Sequence, residues 1–468
     1  MKRNKSVSLL FFIFVIMAAF TIFAIIVDAR KQHSKKSKPS KHLKGSANIP
    51  GPAPAPLPHR GSYPTQSSFF NILSFGAKGD GVSDDSKALL SAWKAACEVP
   101  GATVEIPAEF KFLVKPITLQ GPCVPHLVLQ IDGTLLAPPE AGSWPKSSLF
   151  QWLNFKWVHD FTIQGTGTVN GQGFDWWSPS SVYFIQKKSK HIPDMRPTAL
   201  RFYASYNVTV RDIEIVNSPQ CHLKFDNSKR IKVNNITISS PENSPNTDGI
   251  HLQNTQDVEI QHSSIGSGDD CISIQTGCSN IHVHHINCGP GHGISVGGLG
   301  KDKSVACVSN IIVEKVSLQN TLAGARIKTW QGGIGLVKNI SFSNIQVSNV
   351  KYPIIIDQFY CDKHICKNQT EAVAISGVRY DQIIGSYTVQ PIYLACSSNV
   401  PCIDVDLINI QLKPSQGYTS FKQALCWNSY GKSQAPLVPS SIDYCLRRDG
   451  GFLREHQGLR TSMCASYS

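Results

Sequence analysis

Charge is scarce in this chain. Only 16% of its 468 residues are Asp, Glu, Lys or Arg, and where charge is missing says more than the total. The formal net charge of +13 points to a polyanionic partner until it is located along the sequence. Up to Arg60 there are 11 Lys or Arg against one acid, Asp28, so the remaining 34 bases and 31 acids leave only +3 for the rest. A body this close to neutral has no basic face for a nucleic-acid backbone, and no nucleic-acid partner is expected. Cys-x-x-Cys spacing is absent among the 14 cysteines, which argues against a zinc finger or ribbon; neither metal nor cofactor is expected. Helical periodicity is nearly absent as well. One stretch, "SDDSKALLSAWKAAC", spaces Ala88, Leu89, Ala92, Trp93 and Ala96 along one helical face, with Ser83 or Asp84 as N-cap. Ankyrin and TPR arrays need two helices per repeat, and the chain does not supply them.

What is present begins with a targeting segment. Lys2, Arg3 and Lys5 precede the apolar run "VSLLFFIFVIMAAFTIFAIIV", which ends in Val27-Asp28-Ala29, a small-residue cleavage site. Residues 1–29 read as a signal peptide; the run is also long enough to span a bilayer, so a retained anchor is the competing reading. Residues 30–68 are basic and then proline-rich, with almost nothing able to pack, and read as an extended linker. All 14 cysteines follow the apolar run, an even count suited to disulfides in an oxidising compartment. Sequons at Asn207, Asn235, Asn339 and Asn368 agree with secretion.

From Phe69 onward, short β-rich phrases recur: "NVTVRDIEI" from Asn207, "RIKVNNITI" from Arg230, "DVEIQHSSI" from Asp257, "NIHVHHINC" from Asn280, "NIIVEKVSL" from Asn310 and "NISFSNIQV" from Asn339. Their starts lie 23, 27, 23, 30 and 29 residues apart, and weaker copies follow at Ala372 and Cys402. One such unit cannot bury its apolar side alone, so the units stack as coils whose parallel strands stand about 4.8 Å apart. The expected fold is all-β: a right-handed parallel β-helix over residues 69–468, with the short N-terminal helix capping its first coil. An uncapped solenoid end would expose apolar side chains and an unpaired strand edge.

In a solenoid, residues one coil apart in sequence are neighbours in space. "NSPNTDGIH" carries Asp248; Asp269 and Asp270 follow 21 and 22 residues later, and His292 another 22 after Asp270. Arg326 and Lys328 stand at i and i+2 in "GARIKTW", so on a strand both point to the same side. Tyr352 comes 24 residues after Lys328, on the coil beyond. Taken alone, an Asp-Asp pair is a turn or a solvated face, a histidine between glycines is a turn residue, and Arg326 with Lys328 is ordinary surface charge. Their shared coil spacing argues for one groove.

The ordered set Asn246-Thr247-Asp248, Gly268-Asp269-Asp270, Gly291-His292-Gly293 and Arg326-Ile327-Lys328 resembles the polygalacturonases of glycoside hydrolase family 28. The entrance "SFGAKGDGVSDDSKALLSAW" is similar to the plant members. The resemblance implies inverting hydrolysis of α-1,4-linked galacturonate in pectin. It gives Asp269 the role of proton donor, Asp248 and Asp270 that of holding the attacking water, and His292 that of tuning Asp269. Asn246, Arg326, Lys328 and Tyr352 would contact substrate, the two cations meeting a uronate carboxylate. It further implies a Cys271–Cys288 bridge; Cys361–Cys366, Cys396–Cys402 and Cys97–Cys123 are further candidate pairs.

Two adjacent residues on a regular strand face opposite ways, so Asp269 and Asp270 share a groove only through a bend or bulge, which Gly268 permits. Coil stacking alone sets Asp248 and Asp270 near 5 Å apart, a spacing that leans towards retention rather than inversion; the resemblance favours inversion. Competing readings are a rhamnogalacturonan or xylogalacturonan hydrolase, a calcium-dependent pectate lyase, and a non-catalytic pectin-binding wall protein. The targeting segment and the family's substrate together place the protein outside the cell, in the wall, as an expected monomer; the basic linker, a departure from a minimal enzyme of the family, reads as a solvated spacer or as a polycation adhering to acidic wall polysaccharide.

Overall fold

The computed structural model describes residues 68–144, 151–177, 196–361, 366, 369–442, 446 and 463–464. The apolar run, the basic linker up to residue 67 and the sequon at Asn368 lie outside the described residues. Outside one α-helix, short helical turns and the connecting loops, those residues form parallel strands in two sheets of 19 and 11 strands. In the smaller sheet each strand hydrogen-bonds to the strand one coil earlier and one coil later, from Ile117–Gln120 through to Leu425–Trp427. This is the expected right-handed parallel β-helix.

The repeated phrases stack in the register their spacing requires. Val208, Ile231, Val258, Ile281, Ile311, Ile340, Val378 and Val405 form one column, each the backbone partner of the next. All eight are buried, so each coil covers the apolar row of its neighbours. The weaker copies occupy the same ladder, in strands Ala374–Tyr387 and Cys402–Pro414.

The asparagines at the strand entrances have a backbone reason. Asn207, Asn280, Asn310 and Asn339 have φ between 52° and 57°, the left-handed region in which asparagine is among the best tolerated residues. Their side chains then join successive coils: Asn280 donates to Asp257 at 2.9 Å, Asn310 to Asn280 at 3.0 Å and Asn339 to Asn310 at 3.1 Å.

The capping helix spans Ser86–Ala96 and buries Ala88, Leu89, Ala92, Trp93 and Ala96. Trp93 meets Phe161 and Phe155 edge-on at 5.3 and 6.0 Å between centroids, and Phe155, Phe202 and Phe225 stack from coil to coil at 4.8 and 4.9 Å. Its start differs from the expected N-cap. Ser83 and Asp84 belong to the strand Asp80–Asp84, and Asp85 precedes the helix. The Asp85 carboxylate turns away to accept the Lys78 and Gly79 amides at 2.7 and 3.1 Å, while Asp84 accepts the Ser86 amide at 3.1 Å.

The four candidate cysteine pairs are disulfides: Cys97–Cys123, Cys271–Cys288, Cys361–Cys366 and Cys396–Cys402. A further one, Cys307–Cys464, joins residues 157 apart in sequence. Cys221 and Cys278 are buried thiols.

Candidate active site

The site lies on the 11-stranded sheet, where turns enter the strands Ile250–Gln253, Ile272–Ile274 and Ile294–Leu299. Asp248 and Asp269-Asp270 sit in turns, not on strands, so of the two expected alternatives, bend or bulge, it is a bend between two strands that lets the pair share the groove. Gly268 serves this bend by close approach: a Cβ there would stand 1.8 Å from the Ser244 carbonyl oxygen one coil away. Adjacent coils are locked at this point, the Gly249 amide donating to the Asp270 carbonyl at 2.9 Å and the His292 amide to the Asp269 carbonyl at 2.7 Å. The Cys271–Cys288 bridge ties the turn carrying the aspartate pair to the coil carrying His292.

The side chains sort the three carboxylates into three environments. Asp269 Oδ1 contacts His292 Nδ1 at 3.0 Å and accepts the Asp270 amide at 2.8 Å, while its Oδ2 accepts the Asn246 amide at 3.2 Å. Burial pushes the Asp269 carboxyl up, but His292, Lys328 and the Asp270 N–H outweigh it and hold the group below the ordinary carboxylate range. Asp248 Oδ2 meets His251 Nδ1 at 3.0 Å. Its carboxyl is nonetheless pushed above the ordinary range by burial, reinforced by the Asp269 charge.

Asp270 is the most enclosed of the three, at 2% exposure. Arg326 donates to its Oδ1, as does Ser295 Oγ at 2.8 Å, and Lys328 Nζ donates to its Oδ2 at 3.1 Å. Arg326 Nε also donates to Ser295 Oγ at 2.8 Å. The two cations therefore do face one side of their strand, as their i, i+2 spacing requires, but their present partner is Asp270. Ligand atoms of Asp269, Asp270 and His292 all lie within 4.8 Å of one another.

The structure thus gathers Asn246, Asp248, Asp269, Asp270, His292, Arg326 and Lys328 at one place. Tyr352 opens the next strand, paired with Ala323 and half-buried; it sits one coil beyond the cations without joining their hydrogen-bonded network.

Several polar partners escape a reading by motif. His251 holds Asp248, and Ser295 holds both Asp270 and Arg326. These two share one outward row, in which His251, Ser273, Ser295 and Arg326 are consecutive backbone partners. That row was available in the spacing: His251 follows Asp248 by three residues, and Ser295 follows His292 by three. His222 lies beneath, fully buried, with Nδ1 at 3.0 Å from the Asp248 carbonyl and Nε2 at 2.7 Å from Ser240 Oγ. Along the same face, Arg201 and Lys224 converge on Asp226 at 2.5 and 3.6 Å on one side of the centre. On the other side, Trp427 stands 59% exposed on the last strand of that sheet, beyond Tyr393.

Three carboxylates with a histidine and two cations on one β-helix face are a set able to move protons at a bound substrate, as a glycoside hydrolase must. The profile of the family described as Glycosyl hydrolases family 28 matches residues 97–430, and the chain belongs to that family. It is 39% identical over 413 residues to a protein named as a probable polygalacturonase of Arabidopsis thaliana, covering 87% of this chain and 90% of that one. It is 40% identical over 388 residues to Polygalacturonase-2 of Solanum lycopersicum, covering 82% and 83% respectively. The crystal structure of an endo-xylogalacturonan hydrolase from Aspergillus tubingensis superposes with a TM-score of 0.66 at 21% identity, covering 78% of this chain and 98% of that one. A likeness at that identity shows the shared fold.

Proposed function

We propose that this glycoside hydrolase cleaves α-1,4 bonds between galacturonate residues of de-esterified pectin, with inversion. The observation that carries the reading is that three carboxylates, His292 and two cations meet at one place on the sheet, each carboxylate with its own partners. Asp248, raised by burial, is the stronger base for a water. Asp270, its charge fixed by Arg326, Lys328 and Ser295, gives that water a second acceptor. Asp269 delivers the proton to the leaving oxygen, and the inner face of its carboxylate is held by His292.

A proton donor whose acidity is set too high in the empty site needs substrate to correct it. Lys328 is one of the charges holding Asp269 down. A uronate carboxylate pairing with Lys328 and Arg326 brings one negative charge that offsets their pull, so Asp269 gains affinity for a proton as the sugar seats. A methyl ester brings none. Substrate recognition and acid activation are thereby coupled through the same two cations. Asn246, beside Asp269 Oδ2, and Tyr352, one coil past the cations, would contact the flanking sugars.

The same reading takes residues 1–29 as a signal peptide and 30–68 as a linker, and makes the protein a secreted wall enzyme that acts as a monomer. Its disulfides support an oxidising compartment, and the basic linker would add electrostatic adhesion to acidic wall polysaccharide. The test is product chemistry on de-esterified polygalacturonate. New reducing ends without unsaturated uronides, formed equally well in EDTA, are the expected result. Unsaturated products lost on chelation would make it a lyase, and no products at all would leave a binding protein.

A further inference from the structure

Away from the catalytic face, on the 19-stranded sheet, four imidazoles crowd one edge of the β-helix. His262 lies in the strand Gln256–Gly266, and His282, His284 and His285 lie in Cys278–Cys288. The pairings Glu259↔His282 and Gln261↔His284 put His282 and His284, two residues apart, on one side of their strand. His262 and His285 occupy the corner where each strand bends, with φ of 49° and 53°. The same corner in neighbouring coils holds Asn235, Lys315 and Asn344, with φ of 52°, 53° and 51°. Asparagine and histidine both suit that conformation, so the corner itself accounts for His262 and His285 singly, but not for His282 and His284 beside them.

The rings are close enough to act together. His262 and His285 stack at 4.7 Å, His282 and His284 lie 4.4 Å apart, and the Nδ1 atoms of His284 and His285 are separated by 2.8 Å. Glu259 stands 3.7 Å from His284 Nε2 and Glu314 3.1 Å from His282 Nε2. Ligand atoms of His262, His284 and His285 all fall within 4.8 Å of one another, as do those of Glu259, His282 and His284. His284 belongs to both triplets.

We propose that this corner binds a divalent transition-metal ion through His262, His284 and His285, with Glu259 and His282 completing or balancing the site. Imidazole nitrogens with a nearby carboxylate are the donor set of zinc, copper and nickel, not of calcium or magnesium, which take oxygen. With Zn–N bonds of about 2.0–2.1 Å, two tetrahedral nitrogen ligands stand roughly 3.3 Å apart. The His284 and His285 Nδ1 atoms, hydrogen-bonded at 2.8 Å, would part by roughly 0.5 Å to share an ion, and His262 and His285 are exposed. The corner shares no residue with the carboxylate cluster, so an ion here would stabilise the fold by binding the native state without entering the reaction.

The test is zinc binding to the full chain, followed by calorimetry, thermal unfolding and X-ray absorption at the zinc edge. A His262→Asn, His285→Asn double variant places at both corners the residue that neighbouring coils already carry there, and His284→Gln is the independent second variant. The wild type is expected to bind one zinc with imidazole nitrogen in its shell and to unfold at higher temperature with zinc than without. Both variants should lose affinity at least tenfold while hydrolysing substrate normally, and Asp269→Asn should bind zinc as the wild type does. A shell of carboxylate oxygen only, loss of binding in Asp269→Asn, or unchanged affinity in both histidine variants would overturn the proposal.

Discussion

Asp270 shows how much of this site depends on one buried charge. Its carboxylate is the hydrogen-bonded partner of both Arg326 and Lys328, which are at 11% side-chain exposure each. Asp270→Asn removes that charge while nearly preserving shape, and breaking a buried pair in this way costs about 3–5 kcal/mol. Denaturant unfolding should therefore show a clearly destabilised protein as well as an inactive one. Asp269→Asn is expected to behave differently: stability close to wild type, measurable substrate binding, and turnover reduced at least a hundredfold, because a missing proton donor weakens the transition state rather than the ground state. Retention of a tenth of wild-type turnover would move the donor role to another residue. The identities of these aspartates were legible in the sequence because coil spacing aligns them. Their partners were less so. Whether Arg326 and Lys328 face an aspartate or a sugar depends on side-chain reach across coils, which spacing does not encode.

At the level of the element, the repeat was legible from alternation and period, and the corners from asparagine at the strand entrances. The turn holding Asp269 and Asp270 was half legible. A bend was required, and Gly268 marked it, but the glycine is there for the approach of the Ser244 carbonyl and not for a bulge. The helix start was misread because Asp84 and Ser83 look like caps, whereas Asp85 spends its carboxylate on the turn before it. His222, beneath the Asp248 turn, gives a pH dependence to this part of the coil. Burial drops its pKa from an ordinary 6.5 to about 4. As pH falls between those values, the unfolded chain takes up a proton that the folded chain refuses. Stability is thus lost on acidification across that window, by at most about 3 kcal/mol from this residue. His222→Gln, which can still bond Ser240 Oγ, should flatten the fall in unfolding free energy between pH 7 and pH 4. An identical slope in variant and wild type would mean that His222 does not stay neutral.

Across the whole molecule, the face carrying the carboxylates is one continuous parallel sheet, and under the proposed function sugar units along a bound chain would meet successive coils. Arg201 and Lys224 on one side and Tyr393 and Trp427 on the other extend that face well beyond the carboxylates. Only the centre was visible in the sequence, because distant floor residues carry no motif and are recognised by register alone. The coupling of Lys328 to Asp269 makes a prediction at this scale. Rates on pectins of graded methylation should fall at least about tenfold from the free acid to the full ester, matching the loss of at least one charge-assisted contact. Lys328→Ala should narrow that ratio; equal rates across the series would mean the carboxylate is read elsewhere. The central claim, that Asp269 protonates the leaving oxygen while Asp248 and Asp270 direct water from the opposite face, fixes the configuration of the product. Proton NMR of a short de-esterified oligogalacturonide during early turnover tests it most directly. The account predicts that the new reducing end forms first as the β anomer and then mutarotates, whereas an initial α anomer, or a vinylic proton from an unsaturated uronide, would contradict it.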